Sequence, residues 1–192
     1  MEQGRCTAIV LAAGLANSMH SKIQKQFLEI GGKPVLYYSL HCFQESPLIQ
    51  DIILVTGEEM ISYCEQEIVK KYGFSKVKKI VAGGAERYDS VGNALAALED
   101  TRYVFIHDGA RPFLTHKILQ DTYEAVVQYG ACVTAVPSKD TVKISDGDGF
   151  ARETPDRKTV WNVQTPLVFE AGLIKKAYGL LREKAEELAE KQ

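Results

Sequence analysis

Thr7 to Gln26 reads TAIVLAAGLANSMHSKIQKQ. Ile9, Val10 and Leu11 form a short apolar run rich in β-branched residues, the pattern of a strand buried on both faces. Ala12, Ala13 and Gly14 follow with little or no side chain, so another group can approach the backbone closely, and Gly14 permits a positive φ. A loop then leads to Lys25, whose ammonium can fold back over whatever the backbone amides hold. Amides left free after a strand, with one cation nearby, predict a phosphate-binding corner. The plainer alternative, a turn with a solvated lysine, stays open at this stretch. Neither G-x-G-x-x-G nor G-x-x-x-x-G-K-[ST] is present, so neither the dinucleotide fingerprint nor the P-loop applies.

Outward from this stretch, apolar runs recur at Asp51–Thr56, Val77–Val81, Tyr103–Ile106 and Ala131–Val136. Between them lie segments of helical spacing: Val35–Glu45, Glu58–Tyr72, Arg87–Leu98 and Thr115–Tyr129, with a last one from Glu170 onward. Strands alternating with helices of this length predict an α/β fold, a Rossmann-like, open, mostly parallel sheet flanked by helices. The pattern changes at Ser138–Arg152, where Asp146-Gly147-Asp148-Gly149 is a strong turn signal and predicts a protruding β-hairpin arm. Val160–Val168 returns as extended chain. No repeat or linker interrupts the sequence, so 1–192 is expected to be one domain with its arm at about 138–160.

Composition narrows the partners. The 192 residues carry a formal net charge of −2, without the basic excess that nucleic acid or a membrane surface would select. Cys6, Cys42, Cys64 and Cys132 are scattered without C-x-x-C, which predicts free thiols in a reducing cytoplasm. No apolar run reaches membrane-spanning length, and a cytoplasmic location is expected.

In open α/β sheets ligands bind at the carboxyl ends of the strands, near a switch point. Three further segments therefore matter. Gly83-Gly84-Ala85-Glu86-Arg87-Tyr88-Asp89-Ser90 places two glycines where a planar base can lie against backbone, and Ser90 can bond a base edge or cap the helix. Asp108 ends an apolar strand, where a carboxylate can hold Mg²⁺ bridging nucleotide phosphates. Arg111, three residues on, can grip a phosphate with two bonds, or can simply pair with Asp108 across the turn. His107 is expected to be structural.

Taken together, these segments resemble the 2-C-methyl-D-erythritol 4-phosphate cytidylyltransferases of the non-mevalonate isoprenoid pathway. The likeness runs from Ala8 to about Phe169. It rests on AAG (12–14), KQFL (25–28), GGKP (31–34), GGAERYDSV (83–91), HDGARPF (107–113), VPSKDTVK (136–143) and TPDRKTVWNVQTP (154–166). The resemblance implies transfer of CMP from CTP to a sugar-alcohol phosphate, with release of pyrophosphate and no covalent enzyme intermediate. It implies that Ala12, Ala13, Gly14, Gly84, Ala85 and Ser90 bind the nucleotide, that Lys25 is catalytic, and that Asp108 holds Mg²⁺. Arg111, Thr141, Arg157 and Thr165 would bind the acceptor. Thr141 and Arg157 would do so across a homodimer made through the arm.

The sequence departs from the family pattern in three places. Ala16 and Ser18 stand where the family has glycine and a catalytic arginine; His20 and Gln24 replace its glycine and proline. Residue 192 precedes the family's T-D-[DE]-A segment and a later K-[IV]-T, which supply a further metal-binding aspartate and a lysine. Reduced activity is expected from these departures. Two alternatives accompany the main one: ribitol 5-phosphate as acceptor, and a catalytically silent nucleotide-binding or dimerisation homologue.

Overall fold

The computed structural model describes residues 4–14 and 24–189, with side chains described as far as residue 185. Strand β1 (Cys6–Ala12) is central, and its residues alternate between two apolar layers. Cys6, Ala8, Val10 and Ala12 face one layer; Ile9 faces the other, with Leu11 and Ala13 packed against it. This period of two is what a strand buried on both sides requires.

A 3-10 turn (Lys25–Phe27) leads into the hairpin strands β2 (Glu29–Ile30) and β3 (Lys33–Pro34). Gly31 and Gly32, at φ 60° and 76°, make the tight connection that paired positive-φ residues allow. Pro34 is the N-cap of helix α1 (Val35–Glu45), which buries Leu36, Leu40 and Phe43 against β1. Strand β4 (Asp51–Thr56) follows. The predicted helix over 58–72 is a composite: a 3-10 turn (Glu58–Met60), a short α2 (Ile61–Tyr63) and a π-helical stretch (Cys64–Lys70). Cys64 and Ile68 still face the core, so apolar spacing alone does not separate an α from a π turn.

Strand β5 (Val77–Ala82) leads to helix α3 (Arg87–Ala96), and β6 (Tyr103–Asp108) to helix α4 (His116–Tyr129). Helix α4 starts where Thr115 accepts from the Ile118 amide and ends at Gly130 in the left-handed region, φ 78°. Strand β7 (Ala131–Pro137) follows, then the short antiparallel pair β8 (Ile144–Ser145) and β9 (Ala151–Glu153) at the predicted Asp-Gly-Asp-Gly turn. Beyond a 3-10 turn (Arg157–Thr159), β10 (Trp161–Glu170) leads into helix α5 (Ala171–Ala189).

The sheet order is β5-β4-β1-β6-β10-β7. Strands β5, β4, β1 and β6 are parallel, and β10 runs antiparallel between β6 and β7. The sheet is thus mostly parallel, as predicted. Helices α1 and α4 cover one face, α3 and α5 the other. After β1 the chain builds outward through β4 and β5, then returns to the other side of β1 as β6. The switch point lies between β1 and β6, where Leu11 pairs with Asp108.

Candidate active site

At that switch point a cleft of about 620 Å³ opens at the carboxyl ends of β1, β4, β5 and β6. Ala13 and Gly14 form one wall, Gly83, Gly84, Ala85 and Ser90 a second, and Arg87 and Asp108 a third. Gly57, Glu58 and Glu59 border it from the end of β4.

The second wall is built by close approach. A Cβ added to Gly83 would lie 2.5 Å from Ala13 Cβ and 2.9 Å from Ser90 Oγ, so only glycine lets β5 pass that near. The Ser90 hydroxyl accepts from the Gly84 amide at 3.1 Å and donates to the Glu86 carbonyl at 3.3 Å. Helix capping falls instead to Glu86 and Asp89, which form a reciprocal capping box. Ser90 is therefore the clamp of the glycine corner.

Asp108 is the electrostatic centre of the third wall. Its Oδ1 accepts from Arg87 Nη2 at 2.9 Å and Nε at 3.2 Å; its Oδ2 accepts from Arg111 Nε at 3.1 Å. The pairing of Asp108 with Arg111 left open by the sequence is thus present. Arg111 also donates through Nη1 to the Gln164 side-chain oxygen. Thr165 reaches the same place where β10 breaks register with β7 between Val163 and Leu167, and its hydroxyl accepts from the Asp108 amide at 3.2 Å.

Behind this wall sits His107, 1% exposed. Its Nε2 lies 3.1 Å from the Arg111 carbonyl oxygen and its Nδ1 3.0 Å from the Thr165 hydroxyl. Burial pushes the imidazole down to about 4. Its role is structural, as expected, but it touches two candidate acceptor-binding residues.

Not every predicted residue lines the cleft. The Ala12 side chain is buried in the core, and its carbonyl accepts from the Gln26 side chain at 2.6 Å. Lys25 opens the adjoining 3-10 turn and is half-buried, outside the lining set. Thr141 and Arg157 lie exposed on the arm, where Arg157 Nη1 donates to the Lys139 carbonyl at 3.2 Å. Ser18, with Ala16 and His20, lies outside the described residues.

Arg87 and Gln26 went unread in the sequence. Arg87 had a usable signal, a cation three residues past a strand-end Gly-Gly. Gln26 had none, because its amide serves carbonyls that only the fold brings to it: Ala12 at 2.6 Å, Gly14 at 3.2 Å, and the Gln24 side chain at 2.8 Å.

The family model for 2-C-methyl-D-erythritol 4-phosphate cytidylyltransferase matches residues 6–191. A protein of that name from Lachnospira eligens is 51% identical over 177 residues, covering 92% of this chain and 78% of the relative. One from Clostridium kluyveri is 51% identical over 167 residues, covering 87% and 72%. A crystal structure of 4-diphosphocytidyl-2C-methyl-D-erythritol synthase from Anaerococcus prevotii superposes with a TM-score of 0.82 at 32% identity, over 95% of this chain and 78% of that one.

Proposed function

The chain belongs to the 2-C-methyl-D-erythritol 4-phosphate cytidylyltransferase family, and on that premise we propose how its own residues carry out the reaction. CMP passes from CTP to the phosphate of methylerythritol phosphate, with pyrophosphate as leaving group. The observation that supports this assignment is that the glycine corner Gly83–Ser90 and Asp108, whose carboxylate Arg87 and Arg111 hold, border one cleft.

The base lies against Gly84 and Ala85, where no side chain intervenes, and Ser90 holds that backbone in place. Ala13 and Gly14 present backbone to the ribose and phosphates, while Ala12 acts through the main chain alone. Lys25 supports the charge that develops at the α-phosphate. Arg111 grips the acceptor phosphate and Thr165 meets the acceptor beside it. Held this way, the acceptor oxygen attacks the α-phosphorus in line, and the protein contributes positioning and charge.

Mg²⁺ is part of the proposal, with Asp108 as the residue that would hold it. This ion takes one or two carboxylates and completes its shell with phosphates and water. Asp108 Oδ2 accepts from Arg111 Nε and keeps a further lone pair, which fits that demand. Among the described residues no three His, Cys, Asp or Glu side chains gather into a metal cage. Bound there, Mg²⁺ would neutralise charge on the phosphates.

A homodimer through the 138–160 arm is proposed as well. Phe150, Trp161, Val163 and Val133 are large apolar side chains left exposed on the arm, β10 and β7, which is what supports it. Thr141 and Arg157 would then serve the partner's cleft. A cytoplasmic location is supported by four free cysteines. No helix among the described residues is long and apolar enough to cross a membrane.

Ribitol 5-phosphate is not favoured as acceptor, since relatives near half identity carry the methylerythritol name. Phosphorus NMR of a reaction holding CTP, Mg²⁺ and methylerythritol phosphate tests the function. The expected spectrum shows a CDP-linked diester growing in step with pyrophosphate. Free CMP without the diester would overturn acceptor transfer.

A further inference from the structure

Gln26 is the middle residue of the 3-10 turn that Lys25 opens, and it is buried, 4% exposed, at the edge of the cleft. Its Nε2 donates to the Ala12 carbonyl at 2.6 Å, to the Gln24 side-chain oxygen at 2.8 Å and to the Gly14 carbonyl at 3.2 Å. Two of these partners are carbonyls, which only accept, so the nitrogen of the carboxamide must face them. The turn's backbone bonds, Phe27 amide to Gln24 carbonyl at 2.9 Å and Leu28 amide to Lys25 carbonyl at 3.2 Å, close the turn on itself. Among the described residues, only the Gln26 side chain bonds the turn to the end of β1. Ala12 is itself fixed, 2% exposed and paired with Thr56 of β4.

We propose that Gln26 is a positioning residue for CMP transfer: its carboxamide pins the turn to the end of β1, so that Lys25 keeps one fixed spacing from the backbone of Ala13 and Gly14. Strand β1 is held by β4 and β6 on its two sides, so losing the pin moves Lys25 and leaves the wall in place. Phe27, on the other side of Gln26, meets Tyr63 edge-on with ring centroids 5.5 Å apart. That apolar contact anchors the turn without setting its direction; the directional bonds are those of Gln26. This inference rests on the proposed role of Lys25 at the α-phosphate. It adds what holds that cation in register with the nucleotide, a spacing on which charge stabilisation depends steeply.

The test is steady-state kinetics of Gln26→Met beside calorimetric binding of the unreactive α,β-methylene analogue of CTP, repeated on a Lys25→Ala background. Gln26→Met keeps the length of the side chain and loses its donors. It should lower kcat about tenfold to a hundredfold, while the Kd of the analogue changes less than about twofold. With Lys25 already removed, the same substitution should change kcat less than about threefold, because residues that act as one unit are not additive. Gln26→Glu adds a pH profile. The ionised carboxylate only accepts and is repelled by the Ala12 and Gly14 carbonyls; once protonated it donates again. Its kcat relative to the native chain should therefore rise as pH falls toward about 5. Lys25 beside it, and Glu58, Glu59, Arg87 and Asp108 around the cleft, are common to both proteins, so the ratio isolates position 26.

The Gln26→Glu profile decides the matter even if Gln26→Met folds poorly. Four results overturn the inference and leave the reaction standing: kcat unchanged by either variant, a loss of nucleotide affinity equal to the loss of kcat, an equal loss on the Lys25→Ala background, or a ratio for Gln26→Glu that does not vary with pH. Absence of turnover by the native chain overturns both.

Discussion

Arg87 donates two hydrogen bonds to one oxygen of Asp108, Nη2 at 2.9 Å and Nε at 3.2 Å, joining the first residue of α3 to the last residue of β6. The link closes the cleft across the switch point and aims the carboxylate. Both partners are partly exposed, so the ion pair itself is worth about 0–1 kcal/mol of stability. Arg87→Met should therefore leave the melting temperature nearly unchanged while lowering kcat/KM about tenfold or more, because the carboxylate loses its aim. Steady-state kinetics beside a thermal melt check this. Unchanged turnover would remove Arg87 from the site.

Gly83→Ala tests the glycine corner. The new methyl group meets Ala13 Cβ at 2.5 Å and Ser90 Oγ at 2.9 Å, so β5 or β1 must shift. Overpacking of this kind costs about 1–3 kcal/mol. Because the displaced atoms form the wall proposed for the nucleotide, CTP affinity should fall more steeply than stability. Titration with CTP alongside chemical denaturation separates the two.

Ser90→Ala should act through Gly84. It removes the acceptor that the Gly84 amide holds at 3.1 Å; Gly84 is exposed, so water replaces it and the cost is about 0.5–1.5 kcal/mol. Helix α3 keeps its capping box of Glu86 and Asp89, so helix content should not change. Circular dichroism unchanged, with weakened CTP binding, is the expected pair of results.

The buried thiols give a pH dependence of definite sign. Burial pushes Cys6 up to about 12 and Cys42 up to about 11, against an ordinary value near 9. Between about pH 9 and 11 the unfolded chain therefore loses thiol protons that the folded chain keeps. The folded state binds more protons there, so stability falls as pH rises. Cys6→Ala should flatten that alkaline decline by roughly 1 kcal/mol or more per pH unit, read from denaturation midpoints. An unaltered slope would mean that Cys6 ionises in place.

Much of this was legible in the sequence because strands buried on both faces announce themselves. TAIVLAA, DIILVT and YVFIHD read as apolar runs, and their order with the helices gave the parallel sheet. Strand β10 was legible only as extended chain. Its insertion antiparallel between β6 and β7 depends on partners far away in sequence, such as Leu167 with Ile106 and Val133.

At the site, glycines and charges at strand ends were readable, whereas partnerships were not. Asp108 stood out, but its bond to Arg87 spans 21 residues and exists only once α3 and β6 meet. Ser90 was read as base contact or cap. The cap fell to Glu86 and Asp89, and Ser90 became the clamp on Gly84. His107, expected to be structural, connects the Arg111 turn to Thr165 through ring nitrogens whose partners no local pattern reveals.

The central claim is that this cleft transfers CMP to a polyol phosphate. Its most direct test is the rate of pyrophosphate release by the purified chain with CTP, Mg²⁺ and methylerythritol phosphate, each omitted in turn, with ribitol 5-phosphate as a comparison. Release that requires all three components, and runs faster with methylerythritol phosphate than with ribitol 5-phosphate, is the predicted result. No release from a folded preparation that binds CTP would contradict it, and would leave a nucleotide-binding protein without the transfer step.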